Sequence, residues 1–272
     1  MKVAIVGYGY VGRALHSFFG DCVAAVYDPQ YRKIPNYPQI ETSKNAVNEC
    51  SLTVICVPTP QSEDGSCDTS IVEATIKWLK TPLILIKSTV APGTTQKLSK
   101  KYGKKLVFSP EYIGEGRYFI PPWKYPDPKD MKTHTFQIFG GSREVTRKIV
   151  DIFTDIMGPH VSYIQTDSTT AEIVKYMVNS WGATKVTFAN EWYDICEAHG
   201  VDYREVRELW ALDSRVEKMH TAVFPDKRGF GGKCFPKDIN AIIASSKKHK
   251  YTPKLIETVK KINTEFVRKS AK

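Results

Sequence analysis

The 272-residue chain lacks any apolar run near the eighteen or so residues of a membrane span. A membrane role is therefore not expected. Its opening residues, MKVAIVGYGYVG, meet glycine too soon for the apolar region of a signal peptide, so a cytoplasmic protein is expected. Cysteine is sparse: six, at 22, 50, 56, 67, 196 and 234. None form a CxxC pair, and no Cys/His cluster has zinc spacing, so no metal is expected. In a chain long enough to fold without staples, this pattern points to a reducing compartment. Cys22, Cys56 and Cys196 lie in apolar surroundings and read as small buried hydrophobes. No internal repeat is present. Apolar residues make up 42% and charged residues 25%, which excludes disordered and collagen-like chains. The net charge of +10 is uneven: residues 237–272 carry ten Lys or Arg against three Asp or Glu. That stretch has few aromatics for stacking and no nucleic-acid motif. It reads as a solvated helix face, with no nucleic-acid partner expected.

What is there begins with short β-branched runs. KVAIVG (2–7), VAAVYD (23–28), LTVICV (52–57), LILIKS (83–88), KLVFS (105–109), HTFQIFG (134–140) and HVSYI (160–164) predict strands. Helix-length segments at 68–80, 94–103 and 142–156 separate several of them, which predicts a parallel sheet with right-handed crossovers. After Gln165 the texture becomes helical: a long helix from about Thr169 to His199, closed by Gly200, then pieces at 202–212 and 238–249 and from about 254 onward. Asp167 or Ser168 is the expected N-cap. The expected class is α/β: a Rossmann-type, mostly parallel sheet at 1–165, then an all-α domain with a long central helix at 166–272. RYFIPPWKYPDPKDMK (117–132) has four prolines and four aromatics and fits no regular element.

Gly7, Gly9 and Gly12 form GxGxxG between a strand and a helix, and Asp28 ends the next strand about twenty residues on. The first glycine allows the tight turn. The second lets backbone N–H groups near Tyr10 and Val11 approach a pyrophosphate. Asp28 suits the ribose hydroxyls of NAD, while Arg32 and Lys33 leave NADP open. CVPTP, with Val57 and Pro58, and KSTVAPG, with Thr89, end two further strands and are expected to line one crevice. SPEYIGEG puts Glu111 and Glu115 four residues apart. On the long helix Glu172, Lys175 and Asn179 make a polar stripe, either an exposed face or a site. GFGGKCFPKD places Cys234 between lysines near a helix start, where a thiol becomes a nucleophile.

In this order, these segments resemble the nucleotide-sugar dehydrogenase family, the UDP-glucose and GDP-mannose 6-dehydrogenases, over the whole chain. Matching motifs are GYGYVG, CVPTP, KSTVAPG, SPEYIGEG, AEIVKYMVNSWGATKVTFANE and GFGGKCFPKD. The resemblance implies oxidation of a sugar C6 alcohol to a carboxylate with two NAD in succession. It also implies a place in supplying polysaccharide precursors. It implies Cys234 as the covalent nucleophile, and Lys175 and Asn179 at the C6 oxyanion. Asp238 and Thr89 would position a proton-relay water, and Glu111 would serve thioester hydrolysis. Glu115 and Lys237 would lie beside the cofactor. Tyr112, Phe230 and Gly231 would contact the sugar nucleotide, and Arg215 would reach across a homodimer interface. The family usually continues into a second Rossmann-like domain that grips the nucleotide. The resemblance thus implies a minimal enzyme, half of a split enzyme whose other chain supplies that domain, or a substrate with less to grip. Ile113-Gly114 stands where the family usually has Leu-Arg. A β-hydroxyacid dehydrogenase of the 6-phosphogluconate type is an alternative of similar length, but it needs no cysteine. A non-catalytic NAD-binding subunit is another, and it needs none of the catalytic set.

Overall fold

The computed structural model describes residues 1–31, 40–113 and 130–270. Arg32, Lys33 and Glu115, and most of the proline-rich stretch at 117–132, lie outside the described residues. Chain contacts divide the molecule into two units: Met1–Pro60 with Asp68–Lys175, and Gln61–Cys67 with Tyr176–Lys272. The division falls inside the long helix, ten residues beyond the change in texture at 165.

The first unit is built on strands β1 (Val3–Val6), β2 (Val23–Tyr27), β3 (Leu52–Ile55), β4 (Leu83–Ile86), β5 (Leu106–Phe108), β6 (Phe136–Gly140) and β7 (Ser162–Thr166). β1 and β3 are buried at every position. Strands with no wet face need helices on both sides. Successive side chains point to opposite faces, so Val3 and Ile5 join one core while Ala4 and Val6 join the other. On the first face α1 (Tyr10–Phe19) brings Leu15 and Phe18, and α5 (Arg143–Met157) brings Ile149 and Phe153. On the second, α2 (Lys44–Asn48), α3 (Ser70–Trp78) and α4 (Thr94–Tyr102) supply Val47, Ile76 and Leu98. The short α2 carried no sequence signal that we read; Ser43 caps it by accepting the Ala46 N–H at 3.1 Å.

The strand order is β2-β1-β3-β4-β5-β6-β7, and the pairs are parallel except β5–β6. The exception has a sequence cause. No helical period lies between β5 and β6, and an antiparallel neighbour needs no crossover helix.

α6 (Ser168–His199) starts where Asp167 Oδ1 accepts the Thr170 N–H at 2.9 Å and ends at Gly200, whose φ of +71° closes it. Its first two turns belong to the first unit. The second unit carries the rest of α6 with α7 (Tyr203–Trp210), α8 (Phe235–Lys248) and α9 (Lys254–Ser270). α8 begins three residues before the expected 238. Pro236 starts the helix here rather than blocking it, because the first turn has no use for the missing N–H. The short segment Gln61–Cys67 belongs to this unit through Gln61–Asn240 (2.7 Å) and Asp64–Lys248 (3.6 Å). Among the described residues, no helix is long and apolar enough to cross a membrane.

Gly140 is where β6 meets the start of α6. A Cβ there would lie 2.6 Å from the Ala171 Cβ and 2.8 Å from the Asp167 carbonyl oxygen. Gly140→Ala is expected to lower stability by roughly 1–3 kcal/mol in urea denaturation, because neither neighbour is a flexible tip.

Candidate active site

Four loops leave the carboxyl ends of β1, β3, β4 and β5, and hydrogen bonds stitch them side by side. Cys56 N–H donates to Val6 O (2.7 Å), Lys87 N–H to Ile55 O (2.9 Å) and Ser109 N–H to Ile86 O (2.9 Å). Ser88 Oγ donates to Val57 O at 2.7 Å, so the CVPTP and KSTVAPG loops are tied directly, as expected of one crevice. Thr89 follows, half-buried, in the second of them.

The first loop fits a dinucleotide. Gly7 has φ +90°, and a Cβ there would sit 2.6 Å from Cys56 O; one at Gly12 would sit 2.1 Å from Gly7 O. Only glycine permits both contacts. At Gly9 a Cβ would meet nothing within 4 Å, which leaves open space at the N-terminus of α1, where Tyr10 and Val11 begin the helix with no acidic residue in its first turn. That end carries partial positive charge suited to a pyrophosphate. Asp28 is fixed by Tyr8 N–H on Oδ2 and Gln30 N–H on Oδ1, each at 2.7 Å. Each oxygen keeps a lone pair for a ribose hydroxyl.

Beyond β4 and β5 lies a buried charged cluster. Lys87 is 3% exposed and donates to Ser109 Oγ (3.1 Å) and Pro110 O (3.0 Å). Glu111 is buried, with Oε2 3.8 Å from Lys87 Nζ and Oε1 accepting Ile113 N–H at 2.5 Å. Lys175, from α6, donates to the Glu111 carbonyl and stands over the Tyr112 ring. Burial, and then the Glu111 charge, pushes the Tyr112 hydroxyl up to about 12. The same two causes, in that order, push the Cys56 thiol up. Burial lowers the Lys87 pKa, and the Glu111 charge opposes it.

The polar stripe of α6 is an interior one, not a solvated face. Glu172 is fully buried, and its carboxylate accepts Gly93 N–H (2.5 Å) and Thr95 N–H (2.9 Å) at the start of α4. It caps a helix from outside that helix. Ile173, Met177, Val178 and Trp181 are the residues that stand exposed. Each buried polar group has a specific partner, which is what permits the inversion.

In the second unit Asn179 donates to Asp238 Oδ2 at 2.5 Å, and both are buried. Lys237 pairs with the other oxygen at 2.7 Å. Gly182 lets the Phe235 ring press onto α6, where a Cβ would meet the ring at 2.6 Å. This contact anchors the first turn of α8. Cys234 is its exposed N-cap residue, and its carbonyl accepts the Asp238 N–H at 2.9 Å. The glycine loop before it is clamped from α9: Asn263 accepts Phe230 N–H (2.6 Å) and donates to Phe230 O (3.0 Å). Arg228 lies between the Tyr193 and Phe266 rings, at 4.5 and 5.1 Å, and bonds Asn190 and Asp194. Gly231 is exposed and open. Arg215 is exposed and its guanidinium is taken up by Asp213.

Each unit therefore gathers its own share of the expected residues. The first holds Gly7, Gly9, Gly12, Asp28, Val57, Pro58, Thr89, Glu111, Tyr112 and Lys175. The second holds Asn179, Phe230, Gly231, Cys234, Lys237 and Asp238. Lys87, Arg228 and Asn263 escaped the sequence reading. For Lys87 a signal existed: a lysine that directly continues a buried apolar strand.

Two expectations follow. Asn263→Ala strips two bonds from the Phe230 backbone and should lower stability by about 2 kcal/mol in urea denaturation. For Glu172, burial outweighs its two amide bonds and raises its pKa to about 7. The folded protein thus holds this proton more tightly than the unfolded chain, where a glutamate titrates near about 4.3. The resulting stability is present below that value and is lost as pH rises to about 7, on the order of 3 kcal/mol. Stability curves of wild type and Glu172→Gln across this window are expected to differ by that slope.

Residues 29–120 match the UDP-glucose/GDP-mannose dehydrogenase family NAD binding domain, and residues 169–265 match the same family's central domain. A putative UDP-glucose 6-dehydrogenase of Bacillus subtilis (strain 168) is 30% identical over 97% of this chain and 67% of its own length. A UDP-glucose 6-dehydrogenase of Haloferax volcanii is 27% identical over 97% of this chain and 69% of its own. Among solved structures, a UDP-glucose dehydrogenase from Pyrobaculum islandicum superposes with a TM-score of 0.79 at 25% identity, over 97% of this chain and 68% of that one. The chain spans about half to two-thirds of the length of the curated relatives it matches. It belongs to the UDP-glucose/GDP-mannose dehydrogenase family, with that family's NAD-binding domain followed by its central domain.

Proposed function

We propose that the protein oxidises the C6 alcohol of a nucleotide sugar to the carboxylate, with UDP-glucose the default substrate. Cys234 carries this reading: an exposed thiol at the N-cap of α8, one turn before the buried Asp238. A helix N-terminus flanked by Lys233 and Lys237 favours a thiolate. One oxidation of an alcohol needs no nucleophile. A second does, because the aldehyde must first become an adduct that can be oxidised again. A β-hydroxyacid dehydrogenase would leave this cysteine without a task. A non-catalytic subunit would leave the buried Asn179–Asp238 pair without one as well.

NAD, when bound at Gly7, Gly9, Tyr10, Val11, Gly12, Asp28, Val57, Pro58 and Thr89, supplies the hydride acceptor. Glu115 and Lys237 are assigned places beside its nicotinamide. Asp238 and Thr89 hold the water that takes the C6 hydroxyl proton. Lys175 and Asn179 stabilise the negative charge left on that oxygen. Loss of the C6 hydride to NAD would leave an aldehyde, to whose carbon the Cys234 sulfur would bond while the oxygen takes a proton, giving a thiohemiacetal. Loss of that oxygen's proton and of a second hydride, to a second NAD, would give a thioester. Water attacks that carbon, its proton passes to Glu111, and the C–S bond breaks to return the thiolate. Tyr112, Phe230, Gly231 and Arg215 are assigned to the substrate.

The test is NADH formed per sugar consumed with purified protein, NAD and UDP-glucose. About two is expected. Cys234→Ala should lower acid formation by roughly 10³-fold or more while NAD binding persists. Loss of NAD binding in that variant would count against the role. NAD binding without turnover in the wild type would remove UDP-glucose and send the assay to other nucleotide sugars.

A further inference from the structure

Lys87 is a buried charge that the mechanism above does not use, and it touches a residue that the mechanism does use. It directly follows β4, the apolar run Leu83–Ile86, and is 3% exposed. An apolar residue would continue that strand at no electrostatic cost, and buried ion pairs are poor stabilisers. What the ammonium does is specific. It reaches Ser109 Oγ, Pro110 O and Glu111 Oε2 at 3.1, 3.0 and 3.8 Å, three consecutive residues after β5. The second carboxylate oxygen of Glu111 accepts Ile113 N–H. Lys175 holds the Glu111 carbonyl from the other side. The Ile113 amide thus bonds one carboxylate oxygen, and the Lys87 ammonium lies 3.8 Å from the other.

We propose that Lys87 is a positioning residue for Glu111, fixing its carboxylate to take the proton of the water that cleaves the Cys234 thioester. The proposal rests on the function inferred above. In that step the water oxygen bonds to the acyl carbon and its proton goes to Glu111. The C–S bond breaks with its electron pair staying on sulfur. Lys87 keeps its own proton and charge throughout. Removing the ammonium frees the carboxylate to turn, so hydrolysis slows while the steps that build the thioester continue.

The experiment compares wild type, Lys87→Met, Glu111→Gln and the double variant. Backbone amide exchange is read without substrate. Turnover and covalently modified Cys234 are read with UDP-glucose and NAD. In Lys87→Met, exchange of the Ile113 amide is expected to rise tenfold or more, with Leu85 and Val107 in the adjoining strands unchanged. Turnover should fall on the order of 10²-fold, the cost of a misaligned reacting group. An acyl adduct on Cys234 should accumulate, and the double variant should be no slower than Glu111→Gln, since both changes strike one function. Unchanged Ile113 exchange overturns the proposal. So does faster exchange shared by the strand amides, or slow turnover without the adduct. Lys87→Gln repeats the comparison where Met prevents folding. If neither single variant folds while the charge-free double does, Lys87 serves stability alone. If the wild type fails to oxidise UDP-glucose, the functional reading for that sugar falls, and Ile113 exchange still decides whether Lys87 holds Glu111.

Discussion

The structure depends on one stripe of α6 that buries polar groups where a helix ordinarily buries apolar ones. Glu172 meets the amides that open α4, Lys175 meets the Glu111 carbonyl, and Asn179 meets Asp238. Each costs desolvation, and each is tolerated only because its partner is fixed in advance by another element. The helix therefore acts as a ruler. Within the first unit it sets the loop after β4 and the turn after β5. Within the second it sets the first turn of α8. The exposed Met177 and Trp181 on the opposite side are the counterpart of this inversion.

The sheet supplies the other half of the logic. Strands buried on both faces leave little room for polar side chains inside the sheet, where Thr53 of β3 and Gln137 of β6 are buried, so functional groups collect at the strand ends. Lys87 and Ser109 are the first residues after their strands and Ser88 the second after its own, and each is tied to a neighbouring strand end or loop. Gly7 and Gly12 do the same job sterically, letting backbones approach where any side chain would collide.

The strands were legible because β-branched runs bounded by glycine and proline leave few alternatives. The long helix was legible from its period and from Gly200. The start of α8 was not, because Pro236 reads as a breaker until its place in the first turn is seen. Nor was α2, whose five residues are too few to show a period. At the site, motif positions were legible but their wiring was not. Spacing put Glu172, Lys175 and Asn179 on one stripe without saying whether water or protein faced it. That depends on Gly93, Glu111 and Asp238, between 59 and 79 residues away in sequence.

Cys56 and Cys234 show why residue type alone cannot assign chemistry. Both sit in loops rich in glycine or proline, and both are near lysines in space or in sequence. Cys56 packs on the core beneath Gly7, where burial and the Glu111 charge push its pKa up, so it stays a neutral thiol. Cys234 caps α8 in the open, at the N-terminus of the helix, with Lys233 and Lys237 near it in sequence. The same side chain is a packing atom in one place and a candidate nucleophile in the other. The difference lies in solvent access and in the sign of the surrounding charge, which fix whether a thiolate can exist at all.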